Sequence, residues 1–139
     1  MVSVLFARSN VIGSIVIRGI TWSRWSHCAL LDEAKGTVIE ARLPEVVERP
    51  LAEFTKDHTE IFKRTYNGDS GIALAWARKQ LGAKYDIAGV LGLGLHRDWQ
   101  DEGQWWCSEL VGKALHLSMP RFYLEAITRL TPEDVWKIL

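Results

Sequence analysis

The apolar residues that follow Cys107 constrain this chain more than any other feature. Leu110, Val111, Ala114 and Leu115 recur at the three- and four-residue spacing of a helix with one buried stripe. Ahead of them Asp98 to Gln104 is polar, is interrupted by Gly103 and reads as a loop. The pattern predicts a helix from Cys107 to near Ser118, stopping before Pro120. Cys107 then falls in the first helical turn, where unpaired N–H groups and the positive end of the macrodipole gather. A thiol in that position is drawn toward thiolate, the form that attacks a carbonyl carbon. Two uses stay open at this point: a small apolar residue packed under Trp105 and Trp106, or a nucleophile. A partner base elsewhere in the chain decides between them.

The chain of 139 residues is read as one domain, 1–139, large enough for a proper core. Apolar residues make up 47% and charged residues 24%, which is globular composition and not that of a disordered chain. Seventeen basic side chains balance seventeen acidic ones, so nothing in the charge calls for nucleic acid or an anionic membrane as partner. Two cysteines, Cys28 and Cys107, imply no disulfide framework, although one bridge between them stays open. Met1 to Ile20 is apolar but broken by Arg8 and Arg18, with no basic leader. It reads as strands of the mature fold, not as a signal peptide or membrane span, and the expected location is the cytoplasm.

In order along the chain, strands are expected at Val2 to Ala7 and Ser14 to Arg18, with a turn at Asn10 to Gly13 and a loop at Gly19 to Arg24. Trp25 to Leu31 and Thr37 to Arg42 flank a turn-rich link and predict a hairpin. Pro50 to Lys56 reads as a helical turn with Pro50 at its first position, and Glu60 to Arg64 as a strand. Asp69 or Ser70 caps a helix over Gly71 to Leu81 that Gly82 closes. The run from Gly89 to Gly94 lacks the order of a dinucleotide fingerprint and the lysine of a phosphate loop; close packing or a bend explains it better. A last helix is capped by Thr131, has Pro132 at its first position and runs to Ile138.

Four histidines are candidates for the base. His116 lies about two and a half turns beyond Cys107 on the same helix, too far to touch it. His58 sits in a charged link and reads as a solvated side chain; His96 lies in the loop before Cys107 and is the weaker candidate. His27 stands in Ser26–His27–Cys28–Ala29–Leu30–Leu31, where a structural histidine is the simplest reading. Hairpin geometry favours a further role. If Asp32 pairs with Thr37, Ala29 faces Glu40, and Glu40 lies diagonal to His27 on one face. Diagonal neighbours are about 7–8 Å apart, within reach of a carboxylate and an imidazole. A one-residue slip would send Glu40 to the other face, as an exposed strand residue paired with Arg42 or a lysine. Alternation turns Cys28 away from His27, so Cys28 is expected in the core. No Cys-x-x-Cys pair and no His-Glu-x-x-His occurs, which leaves a zinc site without its usual spacing.

Taken in order, Trp25–Ser26–His27–Cys28–Ala29–Leu30–Leu31, Val38–Ile39–Glu40–Ala41, Lys84–Tyr85–Asp86, Trp106–Cys107–Ser108–Glu109–Leu110–Val111 and Leu130–Thr131–Pro132–Glu133–Asp134 resemble the permuted papain-like branch of the NlpC superfamily, the YiiX/YebB-like proteins. The set spans nearly the whole chain. His27 precedes Cys107, the reverse of ordinary papain-like order and what circular permutation gives. The short length and the Gly13–Ser14–Ile15–Val16–Ile17–Arg18 opening are similar to phage or prophage members, which adds delivery with a phage particle as a second expected location. Cys28 beside His27 departs from the pattern without breaking it.

The resemblance implies an α+β, circularly permuted papain-like fold: a small antiparallel sheet or partial barrel with the cysteine helix packed on it. It implies a cysteine hydrolase of amide or acyl bonds, with Cys107 as nucleophile, His27 as base and Glu40 as the third polar residue. Tyr85 and Trp106 are expected on the substrate or oxyanion side, a packed aromatic being the other use of Tyr85. The implied substrates are a peptide, a peptidoglycan stem or an acylated lipid; the chemistry requires no metal or organic cofactor. Acyl transfer on the same residues, or a non-enzymatic phage structural or interaction module, are the rival expectations.

Overall fold

Strand β1, Val2–Arg8, is apolar on both of its faces and is placed where both are buried, with β2 on one side and β5 on the other. The computed structural model describes residues 1–8, 24–86, 105–119 and 130–138. The described elements are β1, β2 (His27–Asp32), β3 (Thr37–Ala41), β4 (Val46–Pro50), α1 (Leu51–Lys56), β5 (Glu60–Tyr66), α2 (Ser70–Lys79), α3 (Cys107–Ser118) and α4 (Pro132–Lys137). The expected turn at Asn10 to Gly13, strand at Ser14 to Arg18, glycine stretch at 89–94 and His96 lie outside the described residues.

The protein is α+β. Its sheet runs β4-β3-β2-β1-β5 with every neighbouring pair antiparallel. The hairpin forms in the expected register, Asp32 opposite Thr37 and Leu30 opposite Ile39. Alternation then sorts the side chains. Val4, Phe6, Cys28, Leu30, Ile39 and Ala41 face the larger core with Leu110, Val111, Ala114 and Leu115 of α3. Leu5, Ala7, Ala29, Leu31 and Val38 face a smaller core closed by Phe54 of α1. The α3 stripe is the one its spacing predicts, and each fully buried leucine or valine in it contributes about 1.5–3 kcal/mol.

Helix α2 begins as expected: the Asp69 carboxylate accepts from Ile72 N–H at 3.1 Å. Beyond its end Gly82 takes a left-handed φ of 85°, which a side chain would disfavour. Thr131 and Asp134 cap α4 reciprocally, with Pro132 in the first turn. One expectation is corrected. Pro50 is not the first helical residue; it closes β4 opposite Thr37, and α1 starts at Leu51. Proline is tolerated there because β4 is an edge strand. No helix among the described residues is long and apolar enough to cross a membrane.

Candidate active site

The sheet and α3 bring His27, Glu40 and Cys107 together. Cys107 is the first residue of α3, where a backbone N–H has no carbonyl four residues back within the helix. The start of α3 is fastened from two sides. Trp106 Nε1 donates to the Leu130 carbonyl at 3.1 Å, and Ser108 Oγ donates to the same oxygen. On the other side Trp105 N–H donates to Lys84 at 3.0 Å and Asp86 N–H to Trp105 at 3.1 Å, a short parallel bridge that pairs Tyr85 with Trp105. The sulfur is therefore set by backbone and not left to a mobile loop. Cys107 is 6% exposed, so the sulfur is almost enclosed.

His27 opens β2. Its Nε2–H donates to Glu40 Oε2 at 2.5 Å across the hairpin, the diagonal pair that the register places on one face. With Nε2 so engaged, Nδ1 is the ring nitrogen available to the Cys107 sulfur, to which His27 is hydrogen-bonded. The Glu40 side chain is 1% exposed. A buried carboxylate needs compensation, and it receives more than His27: Arg49 Nε donates to Oε1, and Arg42 Nη1 stands 4.0 Å from the same oxygen. Arg49 is in turn held by Asp57 at 2.5 Å.

These neighbours displace the proton equilibria in one direction. Burial works against charge on His27, but the hydrogen bonds and negative charges of Cys107 and Glu40 outweigh it and raise the imidazole to about 10. Burial would raise Glu40; the bond and charge of His27, then those of Arg49, hold it down at about 2. The Cys107 thiol is lowered well below its usual range, first by a hydrogen bond from the Cys28 thiol, against burial, and then by His27. The arrangement at neutral pH is thus thiolate, imidazolium and carboxylate in a row.

Cys28 stands where alternation expects it and has a further role. It is in the core, as alternation requires, yet it is not remote from the chemistry. The face it occupies is the one α3 packs on, so its thiol and backbone N–H both donate to the Cys107 sulfur. The His27 ring meets the same sulfur from the end of the strand. Both cysteines are free.

For Tyr85, burial, then the charge of Cys107, pushes the phenol well above the usual range and keeps the proton on it. Trp106 is 3% exposed and its indole N–H is committed to Leu130, so this side chain anchors the helix. Behind Cys107 lie two buried carboxyls, Asp86 and Glu109. Glu109 Oε2 accepts from Trp106 N–H at 3.5 Å, and burial raises Glu109 to about 8 with help from the charges of Asp86 and Cys107. Sequence reasoning missed Arg49, His58 and the carboxyl pair. His58, read as solvated, stacks on His27 with centroids 5.7 Å apart. Only a correct β4 register, which sets Arg49 diagonal to Glu40, would have found the arginine.

No protein-family model matches the chain, and no curated protein matches it in sequence. Its fold is that of the crystal structure of the metalloprotein YiiX from Escherichia coli O157:H7, DUF1105: TM-score 0.68 at 23% identity over 86% of this chain. The chain spans 66% of the length of that protein.

Proposed function

We propose that the protein is a cysteine hydrolase of amide or acyl bonds on a circularly permuted papain-like fold. The observation that carries this reading is the contact of the Cys107 sulfur, at a helix start, with an imidazole whose far nitrogen is held by a buried carboxylate. The Cys107 thiolate attacks the substrate carbonyl carbon and forms a tetrahedral oxyanion. The helix-start N–H of Cys107, with the Tyr85 hydroxyl as a second donor, stabilises that oxygen. His27 gives its proton to the leaving amine or alcohol as the C–N or C–O bond breaks. A thioester on Cys107 remains. His27, now neutral, takes a proton from water, which attacks the thioester and releases the acid. Glu40 keeps the imidazole in one tautomer and compensates its charge throughout.

The order of histidine before cysteine, the reverse of ordinary papain-like order, supports the permuted assignment, as does the fold shared with YiiX. The word metalloprotein belongs to YiiX. Among the described residues no three His, Cys, Asp or Glu side chains converge as a metal-binding group, and Glu40 is already neutralised by His27 and Arg49. These residues do not fit a metal.

The test compares wild type with Cys107→Ala on peptidoglycan fragments and on acylated lipids. Turnover on one class, lost in the variant, names the substrate. Product passing to an added acceptor instead of water names a transferase. No turnover on either class, together with no faster iodoacetamide labelling of Cys107 than of free cysteine at about pH 6, sinks the hydrolase reading.

A further inference from the structure

His58 follows α1 and its C-cap Asp57. Its Nδ1–H donates to the Phe54 carbonyl at 2.8 Å, which fixes one tautomer of a neutral ring. The ring lies 6° from parallel to His27 with centroids 5.7 Å apart, and Phe54 sits 4.4 Å from His58 and 6.0 Å from His27. One side of the His27 ring is therefore covered by a second imidazole and a phenyl. The pair is not a metal site, since Nε2 of His27 is on Glu40 and Nδ1 of His58 is on a carbonyl.

We propose that His58 is a positioning residue for His27: as a neutral stacked ring it fixes the plane of the imidazolium, and when protonated in acid it disrupts the Cys107–His27 pair. This rests on the hydrolase reading for its consequence in turnover, though not for the coupling between the two rings. An electron-rich neutral ring is a favourable neighbour for an imidazolium, and a second imidazolium is a repulsive one. The groups around His58 set when that change occurs. Burial, then the charges of His27 and Arg49, oppose its protonation; the Phe54 carbonyl and Glu40 favour it. Asp57 is engaged by Arg49 at 2.5 Å and by Arg42 at 3.8 Å. The balance holds His58 below its ordinary 6.5, so at neutral pH it is an uncharged ring beside a charged His27.

The experiment follows the imidazole signals of His27 by NMR from acid to alkali in wild type, His58→Phe and His58→Ala, with iodoacetamide labelling of Cys107 over the same range. In wild type the His27 signals are expected to move at the alkaline step and again, less, at a step below 6.5. Phenylalanine keeps a ring over His27 without a titrating nitrogen. It is expected to abolish the acid step and raise labelling at about pH 5 several-fold, while labelling at about pH 7 holds. Alanine removes the ring and is expected to lower labelling at about pH 7 several-fold. The proposal is overturned if His58 titrates at or above 6.5, or if both variants follow the wild-type profiles. Should Cys107 label no faster than free cysteine in wild type, the hydrolase reading falls, and the His27 signals still decide whether the rings are coupled.

Discussion

At the scale of single residues, Glu40 governs the site from a fully buried position. Its buried carboxylate is tolerable only because His27 and Arg49 neutralise it, and His27 is charged in part because Glu40 is there. Glu40→Gln weakens that exchange, and one unit of pKa is about a tenfold change in an equilibrium. Iodoacetamide labelling of Cys107 at about pH 6 should therefore fall about tenfold or more. Arg49→Met should act on stability: losing one partner of a buried pair costs about 3–5 kcal/mol, readable in urea unfolding. Glu109 carries a pH prediction of the opposite sign to Glu40. It is raised from 4.5 to about 8, so the folded state keeps a proton that the unfolded chain releases, and its stabilisation is lost as pH rises from 4.5 through about 8. His27, raised from 6.5 to about 10, loses its contribution between those values; Glu40, lowered from 4.5 to about 2, loses its own as pH falls through that window. Cys107, held well below its ordinary 9.0, works the other way and gains stability as pH rises, so it offsets Glu109 in acid and His27 above 6.5; the thermal midpoint should decline between about pH 6.5 and 8. In Glu109→Gln the decline between about pH 6.5 and 8 should disappear, as a series of melting curves would read directly.

At the scale of elements, α3 has two ends with separate duties. Its start holds the sulfur; its end packs on Gly68, where an added Cβ would lie 2.7 Å from Ser118 Oγ and 2.9 Å from Met119 Cγ. Gly68→Ala should cost about 1–3 kcal/mol by overpacking. Labelling of Cys107 in the folded fraction should nonetheless match wild type, because the change lies at the far end of the helix. The α3 helix and the β2–β3 hairpin were legible in the sequence because their signals are local: an apolar stripe, and a turn that fixes register. From that register the diagonal of His27 and Glu40 followed directly. What escaped depends on elements packing together. β4 is short and ends in proline, so Arg49 had no visible place. His58 reads as a charged-link residue until α1 closes on the sheet. For Cys28, alternation gave the right face, but nothing local says that α3 covers that face and lays Cys107 upon it.

At the scale of the whole molecule, the pair meets because an early hairpin and a late helix pack on one sheet. Neither half owns the acidity of Cys107; it is a property of the closed fold. Unfolding returns the thiol to its ordinary range, so labelling at about pH 6 should slow as denaturant is added, and its midpoint should coincide with the loss of native tryptophan fluorescence. Early loss of labelling, with the fluorescence still native, would show that the site opens before the core does.

That dependence has a consequence during synthesis. A ribosome releases the hairpin, with its histidine and glutamate, long before it reaches Cys107. Until the late helix emerges and docks, the new chain has the imidazole and the carboxylate without the Cys107 sulfur. The acidic thiol is thus absent while the hairpin is newly exposed, and it comes into being only when the Cys107 helix docks on the sheet.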